Sequence, residues 1–297
     1  MAAASSTVLA QTTTDAIFMK KNQICIAFMY DHGTWDHYWE GPNLRTNGNI
    51  GTFTRQMVAP MIAYGITDKL NVLVSVPYIT TKSTGGQLTG VNGFQDLSLG
   101  LKYSALKKDL GPGRLELIGV GIFGTPVSNY LSDYMPYSLG LGTTEGTLRA
   151  MAHYQLKNGI YARASFAYIW RGNAEVERDY YYNNGSYYTT LMDVPNATNF
   201  YGTLGKWFFK NSLRVEASYQ IMNCVSGDDI RAYNAPQPTN KFEYSPVNAF
   251  AQYFFKREKS EIGLFAYYSK MLDGRNMGEF SNVGVGATYQ FMVVKPQ

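Results

Sequence analysis

The residue types best suited to chemistry gather near the start of the chain. The stretch DHGTWDHYWEG, Asp31 to Gly41, brings Asp31, His32, Asp36, His37 and Glu40 within ten positions. Imidazoles and carboxylates at such density could bind a divalent metal or work as an acid/base couple. Their intervals fit no zinc motif, so a solvated polar loop competes with both readings. His153 is followed two residues later by Gln155, where a strand-borne His would need a serine nucleophile. GVGIFG, Gly119 to Gly124, matches the G-x-G-x-x-G dinucleotide pattern, but TPVSNY follows it, with a proline and no helix start to hold a pyrophosphate. In a strand the same glycines let the backbone bend or approach a neighbour closely. The expectation is no catalytic residue, no metal and no cofactor.

A second set of chemical groups is spaced differently. In TEGTLRAMAHYQLKNGIYARASFAYIW, Thr144 to Trp170, the charged residues fall only at odd-numbered positions. Glu145, Arg149, Met151 and His153 share one face of an extended chain, and Leu148, Ala150, Ala152 and Tyr154 the other. After Lys157, Asn158 and Gly159 the alternation resumes, with Arg163, Ser165 and Arg171 opposite Ala162, Ala164, Phe166 and Trp170. This is a tight β-hairpin whose strands have the ten or so residues that cross a bilayer when tilted.

Composition agrees with that reading. The 297 residues are 45% hydrophobic and 16% charged, yet no run approaches eighteen apolar residues, so a transmembrane helix is excluded while a barrel is not. Aromatic residues reach 15%, in line with interfacial girdles. The net charge of +4, without a Lys/Arg cluster, makes nucleic acid an unsuitable partner. MAAASSTVLAQ resembles the end of a secretory signal, with Val8 and Ala10 third and first before a cleavage after Ala10. Residues 1–10 are thus expected to be residual signal, 11–22 a periplasmic segment and 23–297 a barrel. Cys25 and Cys224 fall at opposite ends of distant strands, beyond the ~7 Å Cα limit for a disulfide, and are expected as free thiols.

About twelve alternating segments are found. They lie near Gln23 to Asp31, Phe53 to Ile66, Leu70 to Thr80, Phe94 to Leu106, Arg114 to Gly124, the hairpin pair, Ala197 to Phe209, Ser212 to Asn223, Ser245 to Phe255, Glu261 to Met271 and Ser281 to Phe291. Short turns alternate with long loops, so the fold class is an all-β transmembrane antiparallel barrel with short periplasmic turns and long extracellular loops. In the eighth segment Lys206 and Trp207 fit either face. The outer loops contribute His32, Trp35 and His37, and the Tyr-rich stretch RDYYYNNGSYY contributes Tyr181 and Tyr187 about an Asn184-Gly185 turn signal. That stretch is either a contact tip or a self-packed hairpin.

With these faces, one inner wall carries Met29, Met57, Met61, Leu73, Ile79, Ile118, Val120 and Ile122, and the opposite wall carries Glu145, Arg149, His153, Arg163, Arg171, Arg214 and Glu216, with Phe250, Phe254, Phe265 and Tyr267 beyond. Such a lumen either fills itself with side chains and ion pairs or passes amphiphilic solutes, an arginine meeting the solute's anionic group.

Three stretches, YGITDKLNVLVSVPYI (Tyr64 to Ile79), GFQDLSLGLKY (Gly93 to Tyr103) and GVGATYQF (Gly284 to Phe291), resemble the phenol meta-pathway family of outer-membrane transporters, and DHGTWDHYWEG is similar to the loop of its Bacteroidetes-type members. Barrel proteins often end on an aromatic residue recognised during assembly, whereas here Met292 to Gln297 follow Phe291. The resemblance implies a Gram-negative outer-membrane channel for passive uptake of small aromatic or amphiphilic solutes, and brings no catalytic or binding residue. Its expected partners are outer-membrane lipid, lipopolysaccharide and the solute, with the barrel a monomer. Two alternatives stand beside it: a structural or adhesive surface barrel acting through its Tyr-rich loops, and an outer-membrane hydrolase using His32 and His37.

Overall fold

Every regular element in the computed structural model, which describes residues 12–182, 185–230, 239–256 and 260–293, is a β-strand. The twelve wall strands are β1 (Gln23–Trp35), β2 (Phe53–Thr67), β3 (in two pieces, Leu70–Ser75 and Tyr78–Ser83), β4 (Asp96–Leu110), β5 (Gly113–Pro126), β6 (Glu145–Leu156), β7 (Ile160–Arg171), β8 (Ala197–Phe208), β9 (Leu213–Cys224), β10 (Glu243–Lys256), β11 (Ser260–Arg275) and β12 (Ser281–Met292). Each pairs antiparallel with its sequence neighbours, and β1 pairs β12 from Gln23↔Met292 to Thr34↔Ser281 while its other edge pairs β2. The sheet is therefore closed, leaving no free edge. The expected signal residues before Thr12, Asn184 with its turn, the turn opened by Arg257 and the tail after Val293 lie outside the described residues.

The alternation that defines the strands also defines two surfaces. Along β6, Arg149, Met151 and His153 are buried, whereas Leu148 is 61% exposed; on neighbouring strands Phe166 is 55% and Leu204 68% exposed. Apolar side chains cover the outside of every wall strand and polar ones are drawn inside, which is stable only where hydrocarbon replaces water around the barrel. Exposed Tyr30, Tyr78, Trp170 and Tyr268 ring the long-loop end, and Tyr103, Tyr253, Phe255 and Tyr289 the short-turn end. The chain is an outer-membrane β-barrel.

Strand ends depart from the sequence reading where the wall leaves the lipid. β1 runs to Trp35 and β11 to Arg275, four residues past their expected ends at Asp31 and Met271, because backbone pairing continues where outward side chains no longer need to be apolar. His32 and Trp35, expected on an extracellular loop, accordingly belong to the wall. β3 is interrupted at Val76–Pro77; Pro77 has no N–H for the ladder, and its carbonyl accepts from the Gln95 N–H at 2.9 Å. In β8, Trp207 faces inward and stacks on Phe254 with ring centroids 5.9 Å apart, while Lys206 points outward over the Phe208 ring. Cys25 is buried near the short-turn end and Cys224 sits at the long-loop end; both are free thiols.

Residues 12–22, expected on the periplasmic side, turn into the barrel from that end. The turn is built by Asn22 at φ 62°, whose N–H donates to the Gly65 carbonyl at 2.8 Å. Gly65 is required there, since an added Cβ would lie 2.0 Å from the Lys20 carbonyl oxygen.

Candidate functional site

The lumen is closed from both ends. At the outer end, loops carry Trp39, Tyr137, Val176, Met192, Phe242 and Met277 over the mouth, where they pack with Trp35, Phe53 and Phe280 into one aromatic-rich cluster. Trp35 stacks on Phe53 at 5.2 Å. Leu139, in the loop between β5 and β6, reaches down onto the methionine wall of β1 and β2. At the other end, residues 12–20 fill the bore, with Met19 fully buried and bonded to Asn71 through its N–H (2.9 Å) and its carbonyl (3.0 Å).

Between the two closures the wall is two-sided. Met29, Met57, Met61, Leu73 and Ile79 form one buried patch with Phe250, Phe265 and Tyr267. Phe250 and Phe265 lie with ring centroids 6.0 Å apart. Unbranched thioethers give this side a surface that can adapt to different apolar bodies. Across the bore, β6, β7 and β9 contribute five buried polar residues: Arg149 at 7% exposure, His153 at 8%, Arg163 at 5%, Arg214 at 1% and Glu216 at 5%, while Glu145 and Arg171 pair with each other at 2.6 Å.

Glu216 is the hub of the charged side. It accepts from the Tyr161 hydroxyl at 2.6 Å and from Arg163 at 3.3 Å, and lies 3.6 Å from Arg214 Nη1. Tyr161 reaches it because β8 has Gly205 beneath the ring, where a Cβ would stand 2.4 Å from Tyr161 Cζ. Arg214 also donates to Gln252 at 3.0 Å and lies 4.7 Å over the Phe250 ring, so it joins the charged and apolar sides. Two guanidinium groups thus share one carboxylate. Arg149 donates to Ser165 at 3.0 Å and Asn199 at 3.1 Å, both neutral, and its Nε has no partner among the described residues. This side of the bore therefore carries excess positive charge, which suits an anionic group.

Two further polar groups of the bore have partners that no local pattern reveals. Asp31 is completely buried, held by Arg55 at 3.1 Å and by the Tyr267 hydroxyl at 2.6 Å. Its place in a cluster of loop-type residues concealed it. Lys102 falls on the inward face of an evenly alternating strand, but its partner Asp15 lies in a segment with no periodicity, so only the fold brings the two together at 2.6 Å.

Below the N-terminal segment a cavity of about 720 Å³ opens at the short-turn end, lined by Ala16, Glu116, His153, Trp207, Lys107 and Arg114 among others. His153 stands at its inner end against the Tyr161 ring, 5.1 Å between centroids. The outer groups meet less chemistry. His37 lies in a short hairpin (His37–Glu40 with Asn43–Thr46) and bonds the exposed Asp36 at 2.8 Å. Among the described residues no three of His, Cys, Asp or Glu come together to hold a metal ion. Tyr181, in the stretch read as either a contact tip or a self-packed hairpin, is buried and stacks on Tyr187 at 5.3 Å; the loop folds onto the mouth cluster because free tyrosine faces are better covered there than by water.

The fold matches an outer-membrane channel from Pseudomonas putida F1 with a TM-score of 0.71, covering 95% of this chain and all of that one at 14% identity. The NanC porin aligns at TM-score 0.47 and 8% identity over 89% of this chain and 98% of its own. The CymD monoaromatic hydrocarbon channel aligns at 0.42 and 9% over 92% and 89%. No known protein family and no curated protein matches the sequence.

Proposed function

We propose that this barrel is a passive channel for small amphiphilic solutes, those with an aromatic or otherwise apolar body and one anionic group, and that it performs no chemistry on them. One observation carries the reading: the bore presents buried Met57, Met61 and Phe265 on one side and buried Arg149, Arg163 and Arg214, with only Glu216 between them, on the other. An apolar body gains from leaving water on the first side, and a carboxylate or phenolate is held by charge-assisted hydrogen bonds on the second. The shared fold with a bacterial outer-membrane channel supports a passage of this kind. Conduction requires that the N-terminal segment and the loop bearing Leu139 both give way, since both fill the bore at rest.

The closure at both ends is also what a structural barrel would show, which keeps that second reading in view. Planar-bilayer recordings separate them. Purified protein that produces discrete conductance steps, with reversal potentials that show small aromatic carboxylates to be more permeant than sugar acids of equal size, supports the channel; a bilayer that stays sealed with protein demonstrably inserted leaves the structural barrel.

A further inference from the structure

Lys102 is an unusual wall residue. It projects from β4 into the bore, is fully buried, and the hydrogen bonds of its ammonium go to the N-terminal segment: to Asp15 Oδ1 at 2.6 Å, to the Ile17 carbonyl at 2.9 Å and to the Thr12 carbonyl at 3.0 Å. The Phe18 ring lies with its centroid 4.9 Å from the ammonium and packs with Ala16 against Ile118, Val120 and Met151 of the wall. A carboxylate on the cation with an aromatic ring beside it on an apolar shelf is the outline of a small aromatic acid. The segment is not sewn to the wall by backbone pairing along its length; Asp15 instead folds on itself, accepting from the N–H groups of Thr12 and Ile17.

From this geometry we infer that Lys102, with the shelf formed by Ile118, Val120 and Met151, is a binding site for small aromatic carboxylates that the chain's own Asp15 and Phe18 occupy at rest. If the segment withdraws, a buried ammonium is left beside apolar side chains, and an incoming carboxylate replaces the lost one with the same charge-assisted bond. Ligand and segment then compete, so the solute itself favours the open bore. Ala16 is part of the ceiling of the 720 Å³ cavity below, so withdrawal joins that cavity to the bore and gives the solute an exit toward the short-turn side. The role in passage rests on the channel reading above; binding at Lys102 does not.

The test uses the full-length protein in lipid nanodiscs, with benzoate as probe, benzyl alcohol as its uncharged counterpart, and calorimetry as readout. The double variant Asp15→Asn/Phe18→Ala weakens the resident ligand and is expected to bind benzoate at least roughly tenfold more tightly than the wild type, because a larger fraction of molecules has the site free. Adding Lys102→Met should abolish that gain, Lys102→Arg should keep it, and benzyl alcohol should respond to none of these changes. Gly65→Ala, which drives the Lys20 carbonyl aside without touching the site, should reproduce the gain should the double variant fail to fold. Benzoate affinity that does not rise in either variant, or that rises equally for benzyl alcohol, or that survives Lys102→Met, overturns the site. Lys102-dependent binding in a protein that leaves bilayers sealed would keep the site and remove the channel; conductance without such binding would do the reverse.

Discussion

Replacing Glu216 with glutamine should be the most damaging single polar change in the wall. The side chain is almost isosteric, so packing around it is preserved and the effect is electrostatic. Glu216, Arg163 and Arg214 have side-chain exposures of 4%, 3% and 2%, so bulk water and salt do little to screen them. Removing one partner of a buried pair typically costs about 3–5 kcal/mol because the remaining charge is left uncompensated. Here one carboxylate serves two guanidinium groups, which places the expected loss toward the upper part of that range. Restoring the triad's original net charge by combining Glu216→Gln with Arg163→Met should recover part of it, with a coupling of about 1–3 kcal/mol in the double-mutant cycle. Urea unfolding of the barrel from lipid vesicles, followed by tryptophan fluorescence, measures all four corners. A Glu216→Gln variant within about 1 kcal/mol of wild type would refute the reasoning: it would mean that water already fills this part of the bore and solvates both arginines, and that the ion pairs are not a closed network.

Three further outcomes are expected. Arg149→Gln removes a cation bonded only to Ser165 and Asn199 and should lower anion over cation preference by roughly twofold or more, read from reversal potentials in asymmetric salt; an unchanged potential would show that Arg149 packs and lines nothing. Phe166→Arg, placing a charge on the outward face near the middle of the wall, should cost about 2–4 kcal/mol of insertion stability in the same urea assay. In the outer loop, hydrogen bonds from Arg275, at 2.7 Å, and from Asn276 hold the Asp229 carboxyl below the usual carboxylate range. Because its folded value is depressed, the pair stabilises the loop at pH above about 4 and loses that contribution as pH falls through the folded value. Hydrogen exchange at residues 225–230, corrected for intrinsic rates, should rise as pH drops below about 4 in wild type and already be fast at neutral pH in Asp229→Asn.

The amino-acid sequence alone determined which residues face lipid and which face the bore. Period-two alternation is a direct consequence of strand geometry, so Leu148 outward and Arg149 inward followed without any knowledge of neighbours. Strand number and the sidedness of turns and loops followed in the same way, because apolar outer faces and turn residues recur with the thickness of the bilayer. Above the lipid the constraint on outward residues lapses, and with it the signal. His32 and Trp35 therefore read as loop, and Asp31 as the end of its strand, although backbone pairing carries the wall through all three. What only the tertiary structure decided is how the bore is filled. Asp15 meets Lys102 across 87 residues, and Asp31 meets Tyr267 across 236. Closing the sheet brings β1 beside β12, turning the N-terminal segment inward creates the Lys102 shell, and neither contact leaves a periodic trace in the chain, because a pairing between distant segments depends on barrel closure and not on local pattern.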